Sequence, residues 1–96
     1  MSVRAKFKCT SYEASEHSTY PHQNESGKPD YSRPEPVELR TLKFSPVYGN
    51  GDPEHENTKF WNASPSGEIR LGTINPEAWQ AFEMGKEYYI DFTPAT

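Results

Sequence analysis

A single cysteine, Cys9, occurs in the chain, so no disulfide can close within one molecule and no zinc site can be built on a cysteine pair. No apolar run approaches the roughly 20 residues that a membrane-spanning helix needs. The first residues, Met1-Ser2-Val3-Arg4, lead into alternating residues rather than the apolar segment of a signal peptide. A cytoplasmic protein without membrane attachment is therefore expected. Positive charge is also scarce, with 10 Lys and Arg against 14 Asp and Glu, for a net charge of −4. Phosphate backbones are held by cations, so this balance argues against nucleic acid as the partner. Hydrophobic residues make up only 32% of the chain beside nine prolines, so the apolar material has to be concentrated where it occurs.

Signatures of catalysis are missing as well. There is no Gly-rich phosphate loop, no nucleophile elbow and no His-x-x-x-His pair. His17, His22 and His55 fall in expected loops, where a solvated side chain is the ordinary state, and nothing sets two carboxylates across a substrate. Residues 49–58 imitate a calcium loop read from Asn50, but the sixth and twelfth positions, which need Gly and Glu, hold His55 and Trp61. The reading is a non-enzyme that uses no cofactor and no metal.

Aromatic side chains are what the chain has in plenty, at 14%. Each buries a large area, so one small core is within reach of a single domain over residues 1–96. Residues 3–10 alternate, with Val3, Ala5, Phe7 and Cys9 on one face and Arg4, Lys6, Lys8 and Thr10 on the other, which predicts a half-buried strand with a basic outer face. Cys9 then sits in the core as a small hydrophobe. Residues 11–36 lose all periodicity and read as a long flexible loop or insertion. The alternative is a binding arm that makes contact through Tyr12, Tyr20 and Tyr31.

Strand character returns at 37–48, where Val37 and Leu39 share one parity and Leu42 and Phe44 the other, so a bulge is expected near Thr41. Residues 59–63 and 68–74, joined by Ser64-Pro65-Ser66-Gly67, predict a hairpin. Asn75 and Pro76 predict a helix start, with Asn as the cap, Pro at the first position and Glu77 in the first turn. Gly85 is expected to end that helix, whose apolar face carries Ala78, Trp79 and Phe82. Residues 86–93 close the fold with Tyr88, Ile90 and Phe92 inward and Glu87, Tyr89 and Asp91 outward. The expected fold class is mainly β: a small antiparallel β-barrel or sandwich of about five strands, OB-like in outline, with one short helix before the last strand.

Phe60-Trp61, then Pro65-Ser66-Gly67-Glu68-Ile69, Asn75-Pro76-Glu77-Ala78, and the run from Phe82 through Gly85-Lys86-Glu87-Tyr88-Tyr89 to Phe92-Thr93-Pro94 form a pattern. It resembles a group of short proteins of tailed bacteriophages and prophages. With the first strand included, the resemblance spans roughly half of the chain and leaves the Tyr- and Pro-rich stretch outside. It implies a phage protein working in the host bacterial cytoplasm or in a virion, and it brings no catalytic residues to carry over.

Binding is the better functional class. On the predicted hairpin, Lys59, Phe60, Trp61, Asn62, Ser66 and Arg70 combine rings, cations and hydrogen-bonding groups, and Tyr89 adds an outward ring. An exposed ring beside Lys59 and Arg70 could stack a base while the cations meet phosphate. The plainer role for both rings is core. The expected function is a phage accessory protein for counter-defence or host modulation, capturing a nucleotide-like signalling ligand or a host protein. A virion or assembly component is the alternative, and single-stranded DNA binding through an OB-like sheet is a third reading that the net charge opposes. Edge strands in so small a sheet also invite a homo-oligomer.

Overall fold

The computed structural model describes residues 3–19 and 35–96. The alternation read at the N-terminus is the start of β1 (Val3–Thr19), which is followed by β2 (Glu35–Pro46), α1 (Glu56–Trp61), β3 (Ile69–Thr73), α2 (Pro76–Trp79) and β4 (Glu87–Phe92). The strands form one antiparallel sheet in the order β3-β2-β1-β4. The protein is mainly β, as expected, but the sheet is open. Among the described residues β3 and β4 remain edges and no OB-like barrel closes. Of the strand predicted at 59–63, residues 59–61 are helical and belong to α1 and Asn62 caps that helix, so the 59–74 hairpin does not form.

One face of the sheet is covered. Ala5, Phe7 and Cys9 from β1 and Leu42 and Phe44 from β2 are buried beneath Trp79 of α2, with Trp61, Ile69, Phe82, Tyr88 and Ile90 packed around them. The helix start at 75–77 is as predicted: the Asn75 side chain accepts from Glu77 N at 3.1 Å and Pro76 opens the first turn. The helix is shorter than expected, because after Trp79 the chain continues as turns to the left-handed Gly85 (φ 86°). Trp79 is buried, and Arg40 stands 4.8 Å from its ring and 4.5 Å from that of Tyr12. Phe92 was expected to point inward. It lies on the covered face but beyond the cover, at 53% exposure.

The expected bulge is on the other strand. β2 runs through Thr41 in unbroken register, and the irregularity lies in β1 between Cys9 and Ser11. The change of parity in β2 has a different origin. Leu42 and Phe44 face the core, while Leu39 lies on the opposite face beside Gly72, where a Cβ on that glycine would stand 3.6 Å from Leu39 Cδ1. The expectation of a loop at 11–36 is also revised. Residues 11–19 continue β1 and pair with 35–43 of β2, whereas Tyr20, His22 and Tyr31 lie outside the described residues. A 17-residue strand reaches roughly 55 Å at about 3.3 Å per residue, and β4 pairs only with 3–8. The far part of the β1–β2 ribbon therefore projects as an arm whose side chains from Ser11 to Ser18 are all exposed.

Cys9 is fully buried, and burial raises its thiol pKa. Both effects suppress thiolate chemistry. Native protein is expected to react with a thiol reagent at least about 100-fold more slowly than protein in denaturant, because reaction has to wait for opening of the core. Comparable rates in the two conditions would place Cys9 outside the core.

Candidate functional site

A recess lined by a ring, carboxamides and hydroxyls lies where α1 ends. The approach to α1 is a tight series of turns. Asp52 N donates to Gly49 O at 3.0 Å, Asp52 Oδ1 accepts from Glu54 N at 2.9 Å, and His55 N donates to Asp52 O at 3.1 Å. Asn50 and Gly51 hold positive φ (54° and 75°), a conformation that Asn and Gly tolerate best. His55 caps the helix, its Nδ1 accepting from Asn57 N at 3.0 Å. Gly49 has no room for a side chain, since a Cβ there would stand 2.3 Å from Thr58 Oγ1.

Asn57 fastens α1 to the sheet. It is fully buried, its Oδ1 accepts from Lys6 N at 2.6 Å, and its Nδ2 donates to Lys6 O at 2.7 Å and to Val47 O at 2.6 Å. Val47 N also donates to Lys6 O at 3.1 Å. The side-chain amide thus continues the ladder at the point where β2 leaves β1. This fixes the position of the rest of the helix, including Thr58 and the residues after it.

At the far end Asn62 takes the left-handed conformation (φ 51°) and its N–H donates to Thr58 O at 2.9 Å, which turns the chain out of the helix. Trp61 Nε1 donates to Ser66 O at 3.0 Å and holds the following loop against the helix. Between this loop and the 48–51 turn lies a recess of about 310 Å³, lined by Tyr48, Asn50, Thr58, Asn62, Ser64 and Pro65 together with Gly49, Gly51 and Ala63. None of these residues is charged. Tyr48 is 65% exposed, leaving its ring available at the mouth.

The sequence-predicted residues fall into three places. Lys59, Phe60, Trp61 and Asn62 are together on α1 and its cap. Phe60 is the exposed ring and Trp61 the half-buried one, the two centroids 4.5 Å apart, with Trp61 packed 6.0 Å from Phe7. Core was the expected role for both rings, yet Phe60 is exposed, and the exposed ring of the other reading arises on a helix and not on a strand. Lys59 points to solvent 3.5 Å from Glu54, and Ser66 contributes a carbonyl to Trp61. Arg70 is elsewhere, on the uncovered face of β3. Glu68 lies 3.4 Å from Arg70 and 3.5 Å from Lys43, beside a shallow recess of about 130 Å³ that also touches Ser11, Glu13 and Thr41.

Tyr89 is elsewhere again, on the outer face of β4 beneath Arg4 (4.7 Å) and Lys6 (5.2 Å). Its surroundings are a charge lattice rather than a pocket. Arg4 grips both oxygens of Asp91 at 2.7 and 3.1 Å, and Lys6 stands 3.3 Å from Glu56 and 3.9 Å from Glu87. The Asp91 carboxyl is held below its ordinary value by the hydrogen bond from Arg4, and the Arg4 guanidinium is raised by the same bond. Lys6 is raised chiefly by Glu56, and Glu56 is lowered first by the backbone N–H at the helix start and then by Lys6. Arg4 and Asp91 are half exposed, so their pair orients the outer face more than it stabilises it, whereas Lys6 and Glu56 are less exposed and link β1 to α1.

Tyr48 and Thr58 are not singled out by the sequence, Asn50 enters it only as the start of the failed calcium-loop pattern, and Ser64 only on the predicted hairpin beside Asn62 and Ser66. The one available signal was Tyr48-Gly49-Asn50-Gly51, a string that favours left-handed turns and so brings a tyrosine back over the helix end. Compared with family models, with curated proteins and with solved structures, the chain matches none.

Proposed function

We propose that the chain is a non-catalytic binding protein that takes a nucleoside-type ligand in the recess at the end of α1. The observation that carries this reading is the composition of that recess: an exposed ring, two carboxamides and two hydroxyls, with no charge in its lining. Ring stacking on Tyr48 suits a base or other flat heterocycle, and carboxamides match its donor and acceptor edges. The volume lies at the lower end of the range used for small ligands. Together with the resemblance to small phage proteins, this supports a counter-defence or host-modulating role in the host bacterial cytoplasm, by capture of a nucleotide signalling molecule. Capture of a host protein is the neighbouring variant.

The test is thermal unfolding against a panel of nucleosides, mononucleotides, cyclic dinucleotides and ADP-ribose. A true ligand at a hundredfold excess over its Kd stabilises by about 2.7 kcal/mol, an upward shift of Tm well outside error. The shift should vanish in Tyr48→Ala, whose exposed ring can be removed without disturbing the core. A panel without any shift, or a shift unchanged in Tyr48→Ala, would remove this reading. The projecting β1–β2 arm favours a second reading, a virion or assembly component that works through protein contact, and co-purification with phage particles would support it.

A further inference from the structure

The arm has two edges, and they are not equally protected. On the β2 side, β3 covers 40–44, and the strand beyond carries Pro36, a residue that interrupts strand addition. On the β1 side, β4 stops pairing at Lys8, and only the bonds of Cys9 with Gly85 and Lys86 extend it. From Ser11 to Ser18, β1 carries no proline, lysine or arginine, and among the described residues no further strand pairs with that edge. Alternate residues there turn N–H and C=O away from β2, the arrangement that accepts another strand. A two-stranded ribbon on its own is marginal in water, so addition of a strand would also stabilise the arm.

We infer that this edge pairs with the same edge of a second copy, antiparallel about a two-fold axis through Ser15. The side chains that meet across the edge select the register. An axis perpendicular to the sheet, which keeps both covered faces on one side, has to pass through a residue. Centred on Glu16, it sets that carboxylate against itself. Centred on Ala14, it sets Glu13 against Ser15, Glu16 against Tyr12 and Ser11 against His17, so no carboxylate meets an imidazole. Centred on Ser15, it places Glu13 opposite His17 twice, Ala14 opposite Glu16 and Tyr12 opposite Ser18. Each carboxylate then accepts from an imidazole N–H at the cross-strand spacing of about 5 Å between Cβ atoms. The two covered cores lie at opposite ends of the paired arms, because each arm's base aligns with the other's far end. The occupant is therefore a second copy of this chain, and the product is a dimer with a continuous ribbon at its centre.

Sedimentation of the full chain should show a dimer. His17→Glu opposes two carboxylates at each of two positions and should weaken dimerisation by about tenfold or more, while the double variant Glu13→His with His17→Glu restores the pairing and the affinity. Ser15→Cys should form a covalent dimer on oxidation, whereas Tyr12→Cys, whose partner across the axis is Ser18, should not, and buried Cys9 keeps the native thiol out of the assay. All these positions are exposed, so circular dichroism should be unchanged and loss of folding does not confuse the result. A monomer at every concentration, a dimer indifferent to His17→Glu, a failure of the double variant to rescue, or equal crosslinking at positions 12 and 15 would each overturn the inference.

Discussion

Asn57→Leu is expected to lower the unfolding free energy by about 3 kcal/mol, through loss of hydrogen bonds rather than loss of volume. Leucine is close to asparagine in size, and the site is fully buried, so little space opens. What changes is that Lys6 N and Val47 O lose the partners they have at 2.6 Å, and Lys6 O keeps only Val47 N. Buried backbone groups left unpaired cost about 1–3 kcal/mol each, and members of one network fail together. Against a total stability of about 5–15 kcal/mol for a domain of this kind, the loss is severe. Urea unfolding should show it as a lower midpoint with unchanged slope. Asn57→Asp should be no better at neutral pH, since it sets a buried carboxylate against the carbonyls of Lys6 and Val47. A cost below about 1 kcal/mol for Asn57→Leu would mean that water reaches these groups and that α1 is held mainly by Trp61 and the Lys6–Glu56 pair. The prediction bears on function because the same amide fixes the helix that carries Thr58 and Asn62. Ligand-induced stabilisation should therefore fall with it, whereas Tyr48→Ala should abolish binding and leave stability nearly intact.

The strands that bury one face were legible. Ala5, Phe7 and Cys9 alternate with Arg4, Lys6 and Lys8, and Tyr88 and Ile90 alternate with Glu87 and Tyr89, and each set lies on the face its period assigned. The helix start at Asn75 was legible for a similar reason, because cap, proline and acid are local signals. Residues 11–19 were not, since both faces of the arm meet solvent and no burial imposes a period. The chain there is a strand because β2 pairs with it over its whole length, and pairing leaves no mark on composition. α1 was misread because Phe60-Trp61 favours strands by propensity. Its helical state depends on the His55 cap and on Asn57 reaching β1, 51 residues earlier. The candidate site inherited that error. Arg70 was grouped with Lys59 and Trp61 through a hairpin that does not exist, Tyr89 was added to them only as an outward ring of the last strand, and the recess beside Asn62 is visible only once the 48–51 turn folds over the helix end.

Phe44→Ala is expected to be the most damaging change in the core, at about 3–5 kcal/mol. Phe44 is 1% exposed and lies beneath both Phe82 (5.4 Å, 80°) and Tyr88 (6.2 Å, 83°), which themselves stand 5.3 Å apart. Edge-on rings at these distances contribute beyond the area they bury. The cluster also has a polar lock: Tyr88 Oη accepts from Glu83 N at 2.9 Å and donates to Ala81 O at 3.4 Å. Removing Phe44 therefore loosens the 80–86 connection along with the sheet, whereas Phe44→Leu keeps most of the volume and should cost far less. Phe92→Ala, at a ring 53% exposed, should cost under about 1 kcal/mol and serves as the reference. Hydrogen exchange separates the two regions. Amides of β1 from Val3 to Cys9 should exchange through opening of the core and speed up in Phe44→Ala in proportion to the lost stability, while those from Ser11 to Ser18, whose protection comes from pairing along the arm and not from the core, should change little. If the arm amides accelerate in step with the core, the arm is part of the same cooperative unit. If Phe44→Ala costs no more than Phe92→Ala, the aromatic cluster is not what holds α2 and the 80–86 connection to the sheet.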